Sequence, residues 1–100
     1  MIREFLRGSI RVHVLYHASK EPIFGVAILK ELRRHGYRLS PGTLYPLLHR
    51  MEKEGLLVSE SRVVKGKVRK YYTATRRGVR ALEHAREKIA ELVKEVLEEE

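Results

Sequence analysis

One hundred residues, 43% of them hydrophobic, make one small domain. The formal charge is +8 and it is uneven: residues 1–82 hold 18 Lys and Arg against 6 Glu, and residues 83–100 hold 3 against 7. With no Cys, a disulfide frame, a thiolate zinc site and a catalytic thiol are excluded. A basic body with an acidic end points to a polyanionic partner for the body only. Asp, Asn, Gln and Trp are missing too, and abundant Glu, Lys and Arg without amides matches the bias of heat-adapted proteins. No apolar run approaches the roughly 18 residues of a membrane span, and charges interrupt Met1–Arg7, so no secretion signal is read there. A cytoplasmic protein without a membrane partner is expected.

Residues 2–18 read as a helix whose apolar positions, among them Phe5, Leu6, Ile10 and Leu15, spread over more than one face. One face serves the chain's own core and the other is free for a partner. Ser19 to Pro22 breaks the pattern. A second helix is expected from about Ile23 to His35, with Gly25, Ile28, Leu29 and Leu32 inward, and Gly36 ends it. A four-residue link leads to the most informative segment, Ser40-Pro-Gly-Thr-Leu-Tyr-Pro-Leu-Leu-His-Arg-Met-Glu-Lys-Glu54. Ser40 suits an N-cap, Pro41 the first helical position and Gly55 the left-handed stop. Leu44, Leu47, Leu48 and Met51 form a core stripe at i, i+3, i+4 and i+7. At about 100° per residue the opposite side presents Gly42, Tyr45, Pro46, His49 and Lys53, with Arg50 on its flank. Pro46 removes one hydrogen bond, to the Gly42 carbonyl, and predicts a kink near the first turn. Two helices joined by a short Gly-containing turn, the second with a small, hydroxylic and basic outer face, suit a DNA groove.

Beyond Gly55 the periodicity changes to that of two strands, Leu56–Val64 and Val68–Ala74, joined through Lys65-Gly66-Lys67. Arg62, Lys65, Lys67, Arg69 and Lys70 lie in this hairpin, so a phosphate backbone is a natural neighbour. Tyr71 and Tyr72 alternate faces, one toward the core and the other toward a contact. Thr75 is placed to cap a last helix from Arg76 to the end, with Glu98–Glu100 fraying. Leu82, Ala85, Ile89, Leu92 and Val96 are spaced 3, 4, 3, 4 and Val93 widens the seam, which calls for a partner helix. The fold class is mainly α with a small β-hairpin (α+β): a winged helix-turn-helix over residues 1–74 and a long C-terminal dimerisation helix over residues 75–100.

The strings Leu39-Ser-Pro-Gly-Thr-Leu-Tyr-Pro-Leu-Leu-His-Arg-Met-Glu-Lys-Glu-Gly-Leu57 and Arg69-Lys-Tyr-Tyr-Thr-Ala-Thr-Arg-Arg-Gly78 resemble the PadR family of transcriptional regulators. The resemblance implies a homodimeric repressor that binds double-stranded DNA at a palindromic operator and is released by a small molecule or stress signal. It places Ser40, Gly42, Thr43, Tyr45, Pro46 and Arg50 in the recognition helix and Lys65, Lys67, Arg69 and Lys70 in the wing. It implies a dimer interface from the first and last helices, built on Phe5, Leu6, Leu82, Ala85, Ile89, Leu92, Val93 and Val96. Two departures stand out. Phe24-Gly25-Val26 replaces a Tyr-Gly-Tyr-like string, which removes a tyrosine–phosphate contact at position 26. The absence of Trp argues against an aromatic-lined effector pore.

Tyr45, Thr43 and the Ser40 end suit phosphate or shallow base contacts, whereas His49 and Arg50 suit deeper reading, Arg50 by forking onto a guanine edge. His13 and His17 are four apart, but two ligands are too few for a metal, so neither a metal nor a cofactor is expected. No Ser/His/Asp set, paired carboxylate or Gly-rich phosphate loop supports an enzyme. The rivals are a winged-helix protein-interaction adaptor, which would want an exposed apolar patch on the third helix, and a metal-sensing repressor, which would want more ligands.

Overall fold

The structure, a computed structural model, describes residues 1–98; the end of the expected frayed segment, residues 99–100, lies outside them. The elements are α1 (Ile2–Lys20), β1 (Ile23–Phe24), α2 (Gly25–Arg34), α3 (Pro41–Lys53), β2 (Leu57–Val64), β3 (Lys67–Ala74) and α4 (Arg76–Leu92), with a π-helical turn over Val93–Leu97. The sheet is antiparallel in the order β1-β3-β2. Helix α3 runs unbroken through Pro46.

The wing therefore has three strands, not two. Ile23 and Phe24, expected to open the second helix, pair with Tyr72 and Tyr71 of β3. The physical reason lies in Pro22, which biases Glu21 to extended backbone; Glu21 sits at φ −163°, ψ 163°. The chain thus arrives extended beside the open edge of β3 and uses its hydrogen-bonding groups before turning into α2 at Gly25. The β2–β3 hairpin closes through Lys65 and Gly66 at φ 52° and 76°, the pair of positive values that a two-residue type I′ turn requires.

A single core joins the elements. Val14, Leu15 and Ala18 of α1 meet Ile28, Leu29 and Leu32 of α2, the Leu44, Leu47, Leu48 and Met51 stripe of α3, and Leu57 and Tyr72 of the sheet. Tyr72 is thus the core tyrosine of the pair and Tyr71 lies on the other face. Thr75 caps α4 as expected: its Oγ1 accepts from Gly78 N at 3.0 Å and donates to the Gly55 carbonyl at 2.6 Å. The start of α4 is pressed directly onto the backbone before β2.

Two expectations about caps and seams are corrected. The Ser40 side chain does not cap α3; its Oγ lies 3.3 Å from Thr43 Oγ1, and the Ser40 carbonyl takes the Thr43 and Leu44 N–H groups at 3.0 Å each. Leu82, expected on the free seam of the last helix, is 4% exposed and belongs to the chain's own core, because α4 is drawn in at its first two turns. The seam opens further along, where Ile89, Leu92, Val93, Val96 and Leu97 face outward. Regular α geometry also ends at Leu92; the Glu98 N–H reaches back five residues to the Val93 carbonyl. The molecule measures 55 × 29 × 20 Å.

Candidate nucleic-acid interface

Helix α3 has two unlike faces because its aliphatic residues recur at helical spacing and, apart from the Tyr45 ring and Pro46, the residues between them are small, polar or charged. Leu44, Leu48 and Met51 are fully buried and Leu47 nearly so. Ser40, Gly42, Thr43, Tyr45, Pro46, His49, Arg50 and Lys53 are all exposed. The sequence-derived recognition face is thus assembled as one surface.

The wing residues separate into two sets. Lys65 and Lys67 sit at the exposed tip. Arg69 is half-buried, its guanidinium 4.6 Å from the centre of the Phe24 ring, and Lys70 lies 3.7 Å from the Glu52 carboxylate. On the same face as Arg69, Tyr71 packs edge-on against Phe24 and carries Arg62 over its ring. Arg62 is itself paired with Glu60 at 2.5 Å, which takes its charge out of the five-residue basic run.

Recognition helix and wing are tied together by Glu52. Ser59 Oγ donates to Glu52 Oε2 at 2.5 Å. The Ser59 hydroxyl, with help from Lys70, the Ser59 backbone and His49, holds the Glu52 carboxyl below its ordinary value, so it is ionised at neutral pH. Sequence reasoning missed this strut. Only the folded hairpin brings Ser59 back to the last turn of α3, and no periodicity marks either residue. It also missed how Tyr45 is seated: a Cβ on Gly25 would lie 2.3 Å from a Tyr45 ring carbon.

Away from this surface, α1 and α4 flank an open cavity of about 1020 Å³ lined by Phe5, Val12, Ala85, Ile89 and Leu92 among others. Phe5 and Leu6 are 60% and 42% exposed, and Val96 63%. His13 borders the cavity with its ring centre 4.7 Å from that of His35 and 5.4 Å from that of Tyr37. Burial, then the charges of His35 and His17, push its pKa below the ordinary value, so it is neutral near pH 7. Among the described residues no three His, Cys, Asp or Glu are grouped to hold a metal ion. No helix among the described residues is long and apolar enough to cross a membrane.

A helix-turn-helix with a polar, basic second helix, flanked by a basic antiparallel wing, defines a winged-helix DNA-binding protein. Comparison with known proteins agrees and narrows the class. The family model described as "Transcriptional regulator PadR-like family" matches residues 14–84. Transcriptional regulator Rv3488 of Mycobacterium tuberculosis (strain ATCC 25618 / H37Rv) is 53% identical over 96 residues, covering 96% of this chain and 90% of that protein. Two crystal structures are similar throughout. A PadR family transcriptional regulator from Eggerthella lenta DSM 2243 has 38% identity and a TM-score of 0.83, over 98% of this chain and 87% of that one. A PadR-like transcriptional regulator from Bacillus cereus strain ATCC 14579 has 32% identity and a TM-score of 0.86, over 95% and 94%. The chain belongs to the PadR-like family of transcriptional regulators. It is a regulator and not an enzyme.

Proposed function

We propose that this regulator is a homodimeric, cytoplasmic repressor that binds a palindromic operator and releases it in response to a signal. The observation that carries the reading is the pairing of two surfaces on one chain: a cationic recognition face and an uncovered apolar seam. In each subunit residues 1–74 bind DNA, with α3 in the major groove and the wing tip on flanking phosphates. His49 and Arg50 read base edges, and Ser40, Gly42, Thr43, Tyr45, Pro46 and Lys53 set the approach. Lys65 and Lys67 reach phosphates; Arg69 and Lys70 reinforce them from the wing's base. Residues 75–100 dimerise together with α1. Phe5, Leu6, Ala85, Ile89, Leu92, Val93 and Val96 supply the contact, and Leu82 braces it from beneath.

Support comes from the exposure of Ile89, Leu92, Val93 and Val96 on one stretch of helix, with Phe5 lining the same cavity as Ile89 and Leu92 and Leu6 exposed on α1. So much contiguous apolar surface is unusual on a monomer and suits a self-complementary contact about a two-fold axis. Two-fold symmetry would set the recognition helices about 34–36 Å apart, one turn of B-DNA. A ligand entering the cavity between α1 and α4 would change that spacing, which gives a small-molecule signal a route to the DNA face. The adaptor alternative has less support, since α3 offers no exposed apolar patch beyond the Tyr45 ring and Pro46.

The test is selection of bound duplexes from a random pool, followed by sedimentation of the free protein. A palindrome with half-sites one helical turn apart and a two-chain species are expected. Recovery of no preferred sequence, or a solitary chain at micromolar concentration, refutes the reading.

A further inference from the structure

Gly25 is buried at the first position of α2, and its backbone is not in the left-handed region, so neither flexibility nor a turn explains a glycine there. Space does. A Cβ built on Gly25 would stand 2.3 Å from Tyr45 Cε1, 2.7 Å from Cζ and 2.7 Å from the hydroxyl oxygen, and those are its three nearest neighbours. The glycine therefore makes room for one side chain, the tyrosine of the recognition helix. That side chain is still 45% exposed, so its ring is held from beneath and open above.

Tyr45 borders a cleft of about 430 Å³ between α2, α3 and the wing, whose walls include Val68, Lys70 and Tyr72. Lys70 is drawn toward Glu52 and the Tyr72 ring. Arg69 is turned to the opposite face of β3 with Phe24 and Tyr71, which leaves a phenol O–H and the Lys70 ammonium as the donors beside this cleft, the ammonium only partly engaged by Glu52 at 3.7 Å. That set fits an anionic oxygen, and in a duplex the anionic oxygens are those of the phosphodiester backbone.

We propose that Gly25 is a positioning residue for DNA binding: lacking a side chain, it lets Tyr45 sit close on the start of α2, so that the phenol joins Lys70 on one backbone phosphate. This rests on the DNA-binding reading above and adds a residue that makes no contact of its own with the duplex. The mechanism is steric. An alanine suits this backbone, but its methyl group would drive the exposed ring outward and carry the hydroxyl away from the cleft. Ile28, Leu29 and Leu32 continue the same buried face of α2 further along the helix, so the added methyl group meets Tyr45 at the first position and not those side chains.

The experiment titrates the wild type, Gly25→Ala, Tyr45→Phe and the double variant against a fluorescein-labelled duplex of about 30 bp, long enough for two half-sites. The duplex carries the sequence that the wild type recovers from a random pool. Gly25→Ala and Tyr45→Phe should each weaken binding about tenfold, as loss of one hydrogen bond to a charged group does. The double variant should be no weaker than either single one, since both changes remove the same contact. Full affinity in Tyr45→Phe overturns the proposal whatever becomes of Gly25→Ala, which covers an alanine variant that fails to fold. Losses that multiply in the double variant overturn it as well, because Gly25 would then act apart from the phenol. If Arg50→Ala loses affinity while Gly25→Ala keeps all of it, this inference falls and the DNA-binding reading stands. If the wild type itself recovers and binds no duplex, both fall together.

Discussion

Replacing Ser59 by Ala removes the hydroxyl that donates to Glu52 Oε2 at 2.5 Å and cuts the hydrogen bond joining the recognition helix to the wing. A hydrogen bond to a charged group contributes about 1.5–3 kcal/mol in a well-sheltered site. Here the shelter is partial: the Glu52 side chain is 28% exposed, and Lys70 stays 3.7 Å away to compensate the carboxylate. Water also replaces the lost donor, so the net cost falls to about 1 kcal/mol. For a domain of this size that lowers the melting midpoint by about 4–8 °C. Wild type and variant must be compared at one protomer concentration, because the proposed dimerisation would couple to stability.

Acid provides the sharper check. The Ser59 hydroxyl depresses the Glu52 pKa in the folded state, so its stabilisation is present above the unfolded-chain value and is lost as pH falls through the folded one. The gap between wild type and Ser59→Ala is therefore constant near neutrality and closes once Glu52 is protonated. Thermal unfolding followed by circular dichroism from neutral pH down through the carboxylate range reads both quantities. Equal midpoints at neutral pH, or a deficit that persists undiminished in acid, would refute the reasoning. A looser wing should also cost a few-fold in operator affinity, since the phosphate contacts would no longer be preorganised against α3.

Arg50→Ala and Lys67→Ala should both weaken operator binding. Lys67→Ala should also reduce the slope of log affinity against log salt by about one, which titration at several salt concentrations measures; unchanged slopes would remove Lys67 from the phosphate contacts. Leu92→Glu places a carboxylate in the exposed seam of α4, and burying it unpaired should convert the proposed dimer to single chains in sedimentation equilibrium without unfolding the core. A variant that still dimerises would move the interface elsewhere. The amide-free, Glu/Lys/Arg-rich composition predicts a melting midpoint above the roughly 45–65 °C of ordinary mesophilic domains, and a value inside that window would count against heat adaptation.

Periodicity made much of this molecule legible in advance. Leu44, Leu47, Leu48 and Met51 repeat at helical spacing and are buried together, so the opposite face of α3 could be assigned residue by residue. The Thr75 cap and the Lys65-Gly66 turn are local, governed by residues within a few positions, and both form as their chemistry requires. Local rules failed where a competing partner lay far off in sequence. Ile23 and Phe24 carry no strand pattern, since two residues have no period; they are a strand only because β3 presents an open edge. Leu82 fits the seam of an isolated helix, yet the core takes it because α4 starts hard against the Leu56 carbonyl, which would lie 2.1 Å from any Cβ on Gly78.

Charge distribution, helix faces and turn positions follow from the order of residues, because each depends on a repeat or on neighbours within one turn. Which cations are free and which are engaged was decided by tertiary structure. Arg69 is stacked on Phe24, Lys70 is drawn to Glu52 and Arg62 is neutralised by Glu60, whereas Lys65 and Lys67 stay open at the wing tip. The seat of Tyr45 on Gly25 belongs to the same class. These arrangements join residues through the packing of separate elements, and packing distances between elements are written in no local pattern.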